Sequence, residues 1–237
     1  MSHPLDLTTD WHTHTTYSDG LASVTAMVEA AARRGVTRLH LTDHVREDST
    51  WVGEYVREVE RVRRDAPIAV VCGVETKILD THGTLDLPWV LPGVEQVVVS
   101  DHRFPTRRGP IAPEEVRRQI QEGQIHAVDA VADLVVATSR AVFRHERVVV
   151  GHLFSILPKA GISLDLVTPD MLTTLAEAFR AAGAVVEVNE KWRTPGPRII
   201  RELCARGVDL VPASDAHDAD AIARWDYVAD AAGMIVP

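Results

Sequence analysis

The chemistry in this sequence lies in histidines and acidic residues that stand at the ends of short apolar runs. Seven such runs end in polar clusters, and every cluster carries a side chain that could bind a metal ion. The clusters cover residues 10–14, 42–44, 73–75, 100–102, 151–152, 187–189 and 214–217. Eleven histidines placed at random would fall on helices as well. The joint pattern therefore predicts a metal site.

Spacing within the clusters indicates how ions would be held. Residues i and i+2 of an extended segment face the same way, so His12 and His14 can bind one ion together. Asp215 and His217 have the same spacing and could serve one ion or two adjacent ions. Glu75 is the natural bridge, because a carboxylate has two oxygens and closely spaced cations need bridging anions. Nitrogen and oxygen ligands without a thiolate favour Zn, Mn or Fe, with Mg as a further candidate.

These side chains need a scaffold that brings them together. Seven predicted strands alternate with helices, which favours a parallel sheet with helical crossovers. The predicted strands cover residues 5–12, 37–42, 68–75, 96–100, 147–151, 184–188 and 209–213. In a barrel the carboxyl ends of such strands meet on one face, where active sites lie. We predict an α/β fold, a distorted (β/α)7 barrel similar to a TIM barrel. A doubly wound open sheet is an alternative that periodicity leaves open.

The predicted helices carry recognisable start and stop residues. Ser23 is the N-cap of the first helix. The pattern of residues 114–139 predicts one long helix, which Gly123 could interrupt. A short helix at 219–223 and a tail complete the prediction.

Composition limits the class of protein. The 237 residues contain no repeat or flexible linker, so we predict one domain over 1–237. A net charge of -9 argues against a general nucleic-acid binder, which would usually carry a basic stripe. Two cysteines make neither a disulfide framework nor a zinc ribbon. No run approaches the ~20 apolar residues of a membrane span, and the polar N-terminus is unlike a signal peptide. We therefore expect a cytoplasmic protein; its oligomeric state stays open.

Taken in order, the motifs resemble those of the PHP superfamily, the polymerase-and-histidinol-phosphatase metal-dependent phosphoesterases. The segments that carry the resemblance cover residues 12–20, 42–44, 73–75, 151–152 and 214–217. The match extends over nearly the whole chain. It implies a distorted seven-stranded barrel with a site for three metal ions.

The resemblance also implies a ligand set for each ion. The first ion would be held by His12, His14, Glu75 and Asp215, the second by Glu75, His102 and His152, and the third by Asp19, His44 and His217. Some members have His where this chain has Asp19, which predicts a weaker third site or one that prefers a harder metal. The segment Ser100-Asp101-His102 also differs from the Ser-Val-His of polymerase-linked relatives, and adds a carboxylate of unassigned role.

The implied activity is hydrolysis of phosphate esters by a metal-activated hydroxide. We assign catalytic roles to Asp215, Glu75 and His217, with Asp215 as one candidate for the general acid. Basic side chains just beyond the strand ends could bind the phosphate. These are Arg46, Arg103, Lys191, Arg193 and Arg198.

Several functions remain open at this stage. A small phosphorylated substrate, cleaved by a phosphomonoesterase similar to histidinol phosphatase, is favoured by the acidic charge. A nuclease or nucleotide phosphodiesterase, similar to polymerase-linked PHP domains, is the main alternative, so nucleic acid is a less favoured partner. A non-catalytic metal-binding regulatory domain would fit if part of the ligand set were lost. An amidohydrolase on a similar barrel would need a catalytic lysine, and none is persuasively placed.

Overall fold

A parallel seven-stranded sheet runs through the computed structural model, which describes residues 5–235. The strands are β1 (Thr9–Thr13), β2 (Arg38–His44), β3 (Ala69–Lys77), β4 (Gln96–Ser100), β5 (Phe104–Thr106), β6 (Gly109–Ile111), β7 (Val148–Gly151), β8 (Val185–Asn189) and β9 (Leu210–Ala213). The sheet has the order β1-β2-β3-β4-β7-β8-β9, and β5 and β6 form a separate antiparallel hairpin. The ends of the predicted domain, residues 1–4 and 236–237, lie outside the described residues. The single domain stays a prediction.

The first and last strands of the sheet meet at a seam. Just beyond β9, the Asp215 amide donates to the His12 carbonyl at 2.9 Å, and the His14 amide donates to the Ala216 carbonyl at 2.8 Å. Thr13 and Ala216 also form a parallel bridge. The sheet is thus nearly closed into a distorted (β/α)7 barrel. This confirms the predicted fold class over the open-sheet alternative.

Two glycines allow the strands to approach closely inside the barrel. A Cβ atom at Gly73 would lie 2.9 Å from Thr42 Cγ2 on the neighbouring strand. At Gly151 it would lie 2.4 Å from Ser100 Oγ and 2.7 Å from Val98 Cγ1. Gly73 lies two residues before Glu75, and Gly151 directly precedes His152. Close packing below the site therefore explains why each of these motifs contains a glycine.

Helices cover the outer face of the sheet and bury its apolar side chains. They are α1 (Val24–Arg33), α2 (Val52–Arg63), α3 (Pro113–Gln121), α4 (Ala127–Ala141), α5 (Ile156–Lys159), α6 (Pro169–Ala182), α7 (Pro197–Ala205) and α8 (Tyr227–Ile235). Ser23 caps α1 as predicted, since its hydroxyl accepts from the Ala26 amide at 3.3 Å. Within residues 5–235, no helix is both long and apolar enough to cross a membrane.

The structure settles one open detail of the sequence prediction and corrects three others. The long helix is interrupted at Gly123, whose φ of +67° ends the helical path, so α3 and α4 are separate. The hairpin β5–β6 was not predicted, because its strands have three residues each. Residues 219–223 form turns, and the predicted tail contains α8, which buries Tyr227 and Val228. The first strand begins at Thr9, because the Asp6 carboxylate accepts from Thr8 and Thr9 in a preceding turn.

Candidate metal centre

Glu75, near the carboxyl end of β3, lies at the centre of the polar cluster. Its Oε2 is 2.8 Å from His44 Nδ1 and 3.2 Å from His12 Nε2. Its Oε1 is 3.1 Å from His152 Nε2 and 3.2 Å from His102 Nε2. One buried carboxylate thus contacts imidazoles that belong to, or directly follow, four other strands. This is the placement that a bridging ligand requires.

His14 and Asp215 lie on the seam side of this carboxylate. His14 Nε2 is 3.5 Å from both Glu75 Oε2 and Asp215 Oδ1, and 2.9 Å from His12 Nε2. Burial lowers the pKa of the His14 imidazole to about 3, so the ring is neutral and keeps a lone pair. Its Nδ1 is buried and finds no hydrogen-bond partner among the described residues. Two ring nitrogens at 2.9 Å repel each other unless a proton or cation lies between them, which fits a metal site.

Asp19, His44 and His217 form the exposed side of the cluster. His217 Nε2 is 3.3 Å from Asp19 Oδ1, and His44 Nε2 is 3.5 Å from Asp19 Oδ2. His14 Nδ1 approaches the same carboxylate at 3.8 Å. These four side chains can offer ligand atoms that all lie within 4.8 Å of one another. The set implied for the third ion is therefore brought together, with His14 beside it.

The structure gathers all nine predicted ligands into one cluster of six imidazoles and three carboxylates. Two further groups meet the same 4.8 Å limit, namely His12 with His14 and Asp215, and Glu75 with His44 and His102. Burial alone would raise the pKa of the Glu75 carboxyl, but the surrounding imidazoles hold it well below its usual range. Glu75 is therefore ionised, as a ligand must be. This donor set, rich in nitrogen and oxygen and without thiolate, suits borderline divalent cations.

Glu187 and Asp101 touch the ligands, although the sequence analysis gave them no role. Glu187 in β8 is fully buried, with Oε1 2.7 Å from His12 Nδ1. Asp101 follows β4 and lies 3.2 Å from His152 Nδ1. The sequence signal was available, because Glu187 stands in a strand-end cluster and Asp101 precedes His102. Spacing alone could not say which ring each carboxylate would meet.

Two candidate ligands have backbone conformations that L residues rarely adopt. His152 has φ of +27° and Asp215 has φ of +54°, each directly beyond the end of its strand. Hydrogen bonds hold both: the His152 amide donates to Glu187 Oε2 at 3.1 Å, and the Asp215 amide donates to the His12 carbonyl. Strained backbone of this kind persists where the surroundings fix it, and it is frequent at functional sites.

The loop between His14 and Asp19 is fixed by the buried carboxylate of Asp43. Asp43 Oδ1 accepts from the Thr15 amide at 2.8 Å and from the Ser18 amide at 3.1 Å, and both hydroxyls donate to the same side chain. Asp43 therefore shapes the loop that carries Asp19. It contributes to the motif at 42–44 without contacting an imidazole of the cluster.

Two cavities with opposite electrostatic character border the cluster. The first, of about 590 Å³, is lined by Asp19, His44, Glu75 and His102 together with three basic side chains, Arg46, Lys77 and Arg103. The second, of about 510 Å³, borders Asp215 and His217 and has an excess of acidic side chains, since Glu190, Asp218, Asp220 and Asp226 outnumber the basic Lys191 and Arg224. An anionic group is attracted to the first cavity and repelled by the second.

Three of the five predicted substrate-binding residues lie at the cluster, and two lie away from it. Arg46 and Arg103 line the basic cavity, and Lys191 Nζ lies 3.3 Å from Asp215 Oδ1. Arg193 instead stacks on the Tyr227 ring at 5.4 Å. Arg198 donates to the backbone carbonyls of residues 164 and 167 at 2.9 and 3.0 Å. These last two arginines line neither cavity, so the structure does not bring them to the cluster.

Comparison with known proteins agrees with the motifs. The family model of the PHP domain matches residues 10–191. The chain belongs to the PHP domain family. This confirms the family predicted from the motifs, and it agrees with the predicted enzyme class, a metal-dependent phosphoesterase. Asp215 and His217 lie beyond the matched segment, but the barrel seam brings them beside His14. No curated protein matches the sequence.

Solved structures with the same fold include two proteins of the histidinol phosphatase type. Histidinol phosphate phosphatase (HisK) from Lactococcus lactis subsp. lactis Il1403, complexed with zinc, L-histidinol and phosphate, has a TM-score of 0.67 and 16% identity over 96% of this PHP chain and 92% of its own. A proposed histidinol phosphatase HisK from Listeria monocytogenes has a TM-score of 0.69 and 13% identity over 91% of this chain and 97% of its own. These likenesses establish the shared barrel.

Proposed function

We propose that this PHP protein hydrolyses small phosphomonoesters with divalent metal ions held around Glu75. The observation that carries the proposal is the cluster of nine ligand-type side chains opening into a basic cavity. Ligands for cations and binding groups for a phosphate thereby stand next to each other, as hydrolysis of a phosphate ester requires.

The ligand sets that we propose are those implied by the family resemblance. They are His12, His14, Glu75 and Asp215 for a first ion, Glu75, His102 and His152 for a second, and Asp19, His44 and His217 for a third. Bound divalent ions would neutralise phosphoryl charge and acidify a nucleophilic water. Zinc is the first candidate metal, supported by the zinc in the Lactococcus structure. Manganese and iron suit the same ligands.

The basic cavity supplies the groups that would bind and orient the ester. Arg46 and Arg103 can hold phosphoryl oxygens through planar, bidentate hydrogen bonds. Lys77 is partly neutralised by Asp86, whose Oδ2 lies 2.6 Å from its Nζ. Tyr17 and Trp51, with ring centroids 5.8 Å apart, offer an apolar wall for the organic part of the substrate. We assign the phosphate to the arginines and the leaving group to this wall.

A small ester is favoured over a nucleic acid. The basic residues line a cavity of about 590 Å³, and the neighbouring cavity has an excess of acidic side chains, so these two cavities do not form a continuous basic groove for a long polyanion. The histidinol and phosphate bound by the Lactococcus protein support a substrate of similar size. A nuclease or phosphodiesterase remains the alternative outcome of the test below. The cytoplasmic location predicted from the sequence remains a prediction.

A substrate screen tests this function. Metal-loaded protein is incubated with p-nitrophenyl phosphate, bis-p-nitrophenyl phosphate, histidinol phosphate and a single-stranded oligonucleotide. Phosphate or nitrophenol release is measured for the first three, and shortening of the oligonucleotide on a gel for the last. We expect turnover of the monoesters, and its loss after removal of metal by a chelator. Degradation of the oligonucleotide alone, or equal turnover by metal-free protein, would show that the proposal is wrong.

A further inference from the structure

Two buried histidines of the cluster each lie between two carboxylates. His12 has Nε2 3.2 Å from Glu75 Oε2 and Nδ1 2.7 Å from Glu187 Oε1. His152 has Nε2 3.1 Å from Glu75 Oε1 and Nδ1 3.2 Å from Asp101 Oδ1. Both rings thus direct Nε2 into the cluster and Nδ1 toward a carboxylate outside the proposed ligand set.

Such an outer carboxylate has a defined effect on a metal-binding imidazole. It accepts a hydrogen bond from Nδ1–H, which keeps the proton on Nδ1 and leaves the Nε2 lone pair free for the metal, fixes the ring plane and makes Nε2 a better donor. Glu187 and Asp101 each lie against the Nδ1 edge of a ring whose Nε2 edge faces Glu75. Their position behind the rings suits orientation of the ligands better than direct binding.

Glu187 supports both histidines at once. Its second oxygen, Oε2, accepts from the His152 amide at 3.1 Å and from Asn189 Nδ2 at 3.1 Å. The first of these bonds holds the backbone that gives His152 its positive φ. A fully buried, fully hydrogen-bonded carboxylate therefore links the ring of His12 to the main chain of His152.

Asp101 shares its task with a hydroxyl. Ser155 Oγ donates to Asp101 Oδ1 at 2.9 Å and lies at the same distance from His152 Nδ1. Ser155 Oγ can therefore accept the hydrogen bond from His152 Nδ1–H when Asp101 is changed. We expect Asp101 to have a smaller effect than Glu187, whose contact with its ring is also shorter.

Within residues 5–235, the other imidazoles of the cluster lack such support. His44 and His102 contact only acidic side chains of the ligand set, and their side chains are about one-third exposed. His217 contacts Asp19, Asp215 and Lys191. Among the described residues, a carboxylate from outside the ligand set therefore supports only His12 and His152, whereas His217 Nδ1 lies 2.9 Å from the backbone carbonyl of Asp215.

From these contacts we infer that Glu187 and Asp101 are positioning residues, which orient His12 and His152 so that each binds metal through Nε2. The inference depends on the metal-dependent function proposed above. It assigns a role to the carboxylate by which the 100–102 segment differs from Ser-Val-His.

Three variants test the inference, Glu187→Gln, Asp101→Asn and the matched control Asp86→Asn. Zinc affinity is measured by competition with a chromophoric chelator. We expect a loss of about 10- to 100-fold for Glu187→Gln and about 10-fold for Asp101→Asn, which are the usual effects of outer-ligand changes. Asp86 is also a buried carboxylate, but it pairs with Lys77 and meets no imidazole, so its variant should stay within about 3-fold.

Proton NMR of the zinc-loaded protein provides a measurement that would not change if the two carboxylates had a purely structural role. Wild type should show two slowly exchanging Nδ1–H signals at low field, and each variant should lose or shift the signal of its own histidine. If Glu187→Gln does not fold, Asp101→Asn combined with Ser155→Ala replaces it, since that pair should lower zinc affinity further than Asp101→Asn alone.

The possible failures are distinguishable. Zinc binding and turnover by wild type, together with unchanged affinity and unchanged Nδ1–H signals in both variants, would refute the positioning role and leave the function standing. If wild type bound none of zinc, manganese or iron, the proposed function itself would be removed, and the positioning role with it.

Discussion

The cluster around Glu75 contains an inner and an outer group of side chains that differ in burial. In the inner group, made up of His12, His14, Glu75, His152 and Asp215, every side chain is at most 3% exposed. In the outer group, made up of Asp19, His44, His102 and His217, exposure runs from 24% to 56%. The two groups have similar ligand chemistry. Any difference in their affinity for metal must therefore come from what surrounds them.

The inner group is held in place by side chains and main chain outside the proposed ligand set. Glu187 and Asp101 contact two of its rings, and the barrel seam fixes the main chain at His12 and Asp215. The outer side chains reach from strand ends and a loop, so they lose more side-chain freedom when they bind an ion. We conclude that the inner group should bind metal tightly and that the outer group should exchange it more readily.

The largest effect is expected for Glu75→Gln, because Glu75 joins the two groups. The amide keeps the size of the side chain but removes the charge that offsets five surrounding imidazoles. We expect the loss of at least two ions and a fall in turnover of about 1000-fold. Metal analysis and p-nitrophenyl phosphate hydrolysis measure both. Near-wild-type metal content would mean that Glu75 does not bridge.

Within the inner group, Asp215→Asn or His14→Ala should lower metal content and turnover by at least ~100-fold. Each removes a buried ligand that the barrel has already positioned, and no exposed side chain can take its place. The same two assays apply, with circular dichroism as the folding control. Wild-type activity in either purified variant would remove that residue from the metal centre.

Within the outer group, Asp19→Ala should have a smaller effect. We expect one ion fewer than in wild type and a fall in turnover of about 10-fold, since the inner ligands remain intact. Stepwise titration with a chelator should show the fast-released fraction missing from this variant. If Asp19→Ala loses every ion, the division into two groups is wrong.

The smallest effect is expected for substitutions of the arginines, which test binding of the substrate and not binding of metal. Arg46→Ala should raise KM by about 5-fold with little change in kcat, as for uniform binding of a charged group. Arg198→Ala is the matched control, because its guanidinium is already used by backbone carbonyls. Steady-state kinetics of the two variants measures KM and kcat for each. Equal KM values would mean that Arg46 does not contact the ester.

The barrel could be predicted from the sequence, and so could the meeting of the ligand candidates on one face, because both predictions depend on where strands end. Strand periodicity and the residue types at each end are local properties of the chain. His12, His44 and Glu75 could therefore be assigned to one face without coordinates. The division into inner and outer groups could not be predicted, since burial depends on how the seam and the loops close around each side chain.

The directions of long basic side chains could not be predicted from the sequence either. Arg103 and Arg198 both stand just beyond strand ends, so position alone treats them alike. In the structure Arg103 lines the basic cavity, whereas Arg198, in the first turn of α7, turns toward the carbonyls of residues 164 and 167. A side chain with four rotatable bonds takes its direction from neighbours that are distant in sequence.

The seam that completes the barrel is formed by the same short segments that carry His12, His14 and Asp215. An ion shared by His14 and Asp215 would therefore tie the beginning of the chain to a segment some two hundred residues later, like a removable cross-link. Metal binding and closure of the barrel at the seam are then thermodynamically coupled. Removal of the ion should speed amide hydrogen exchange first at residues 12–14 and 214–216, and leave the central strands protected.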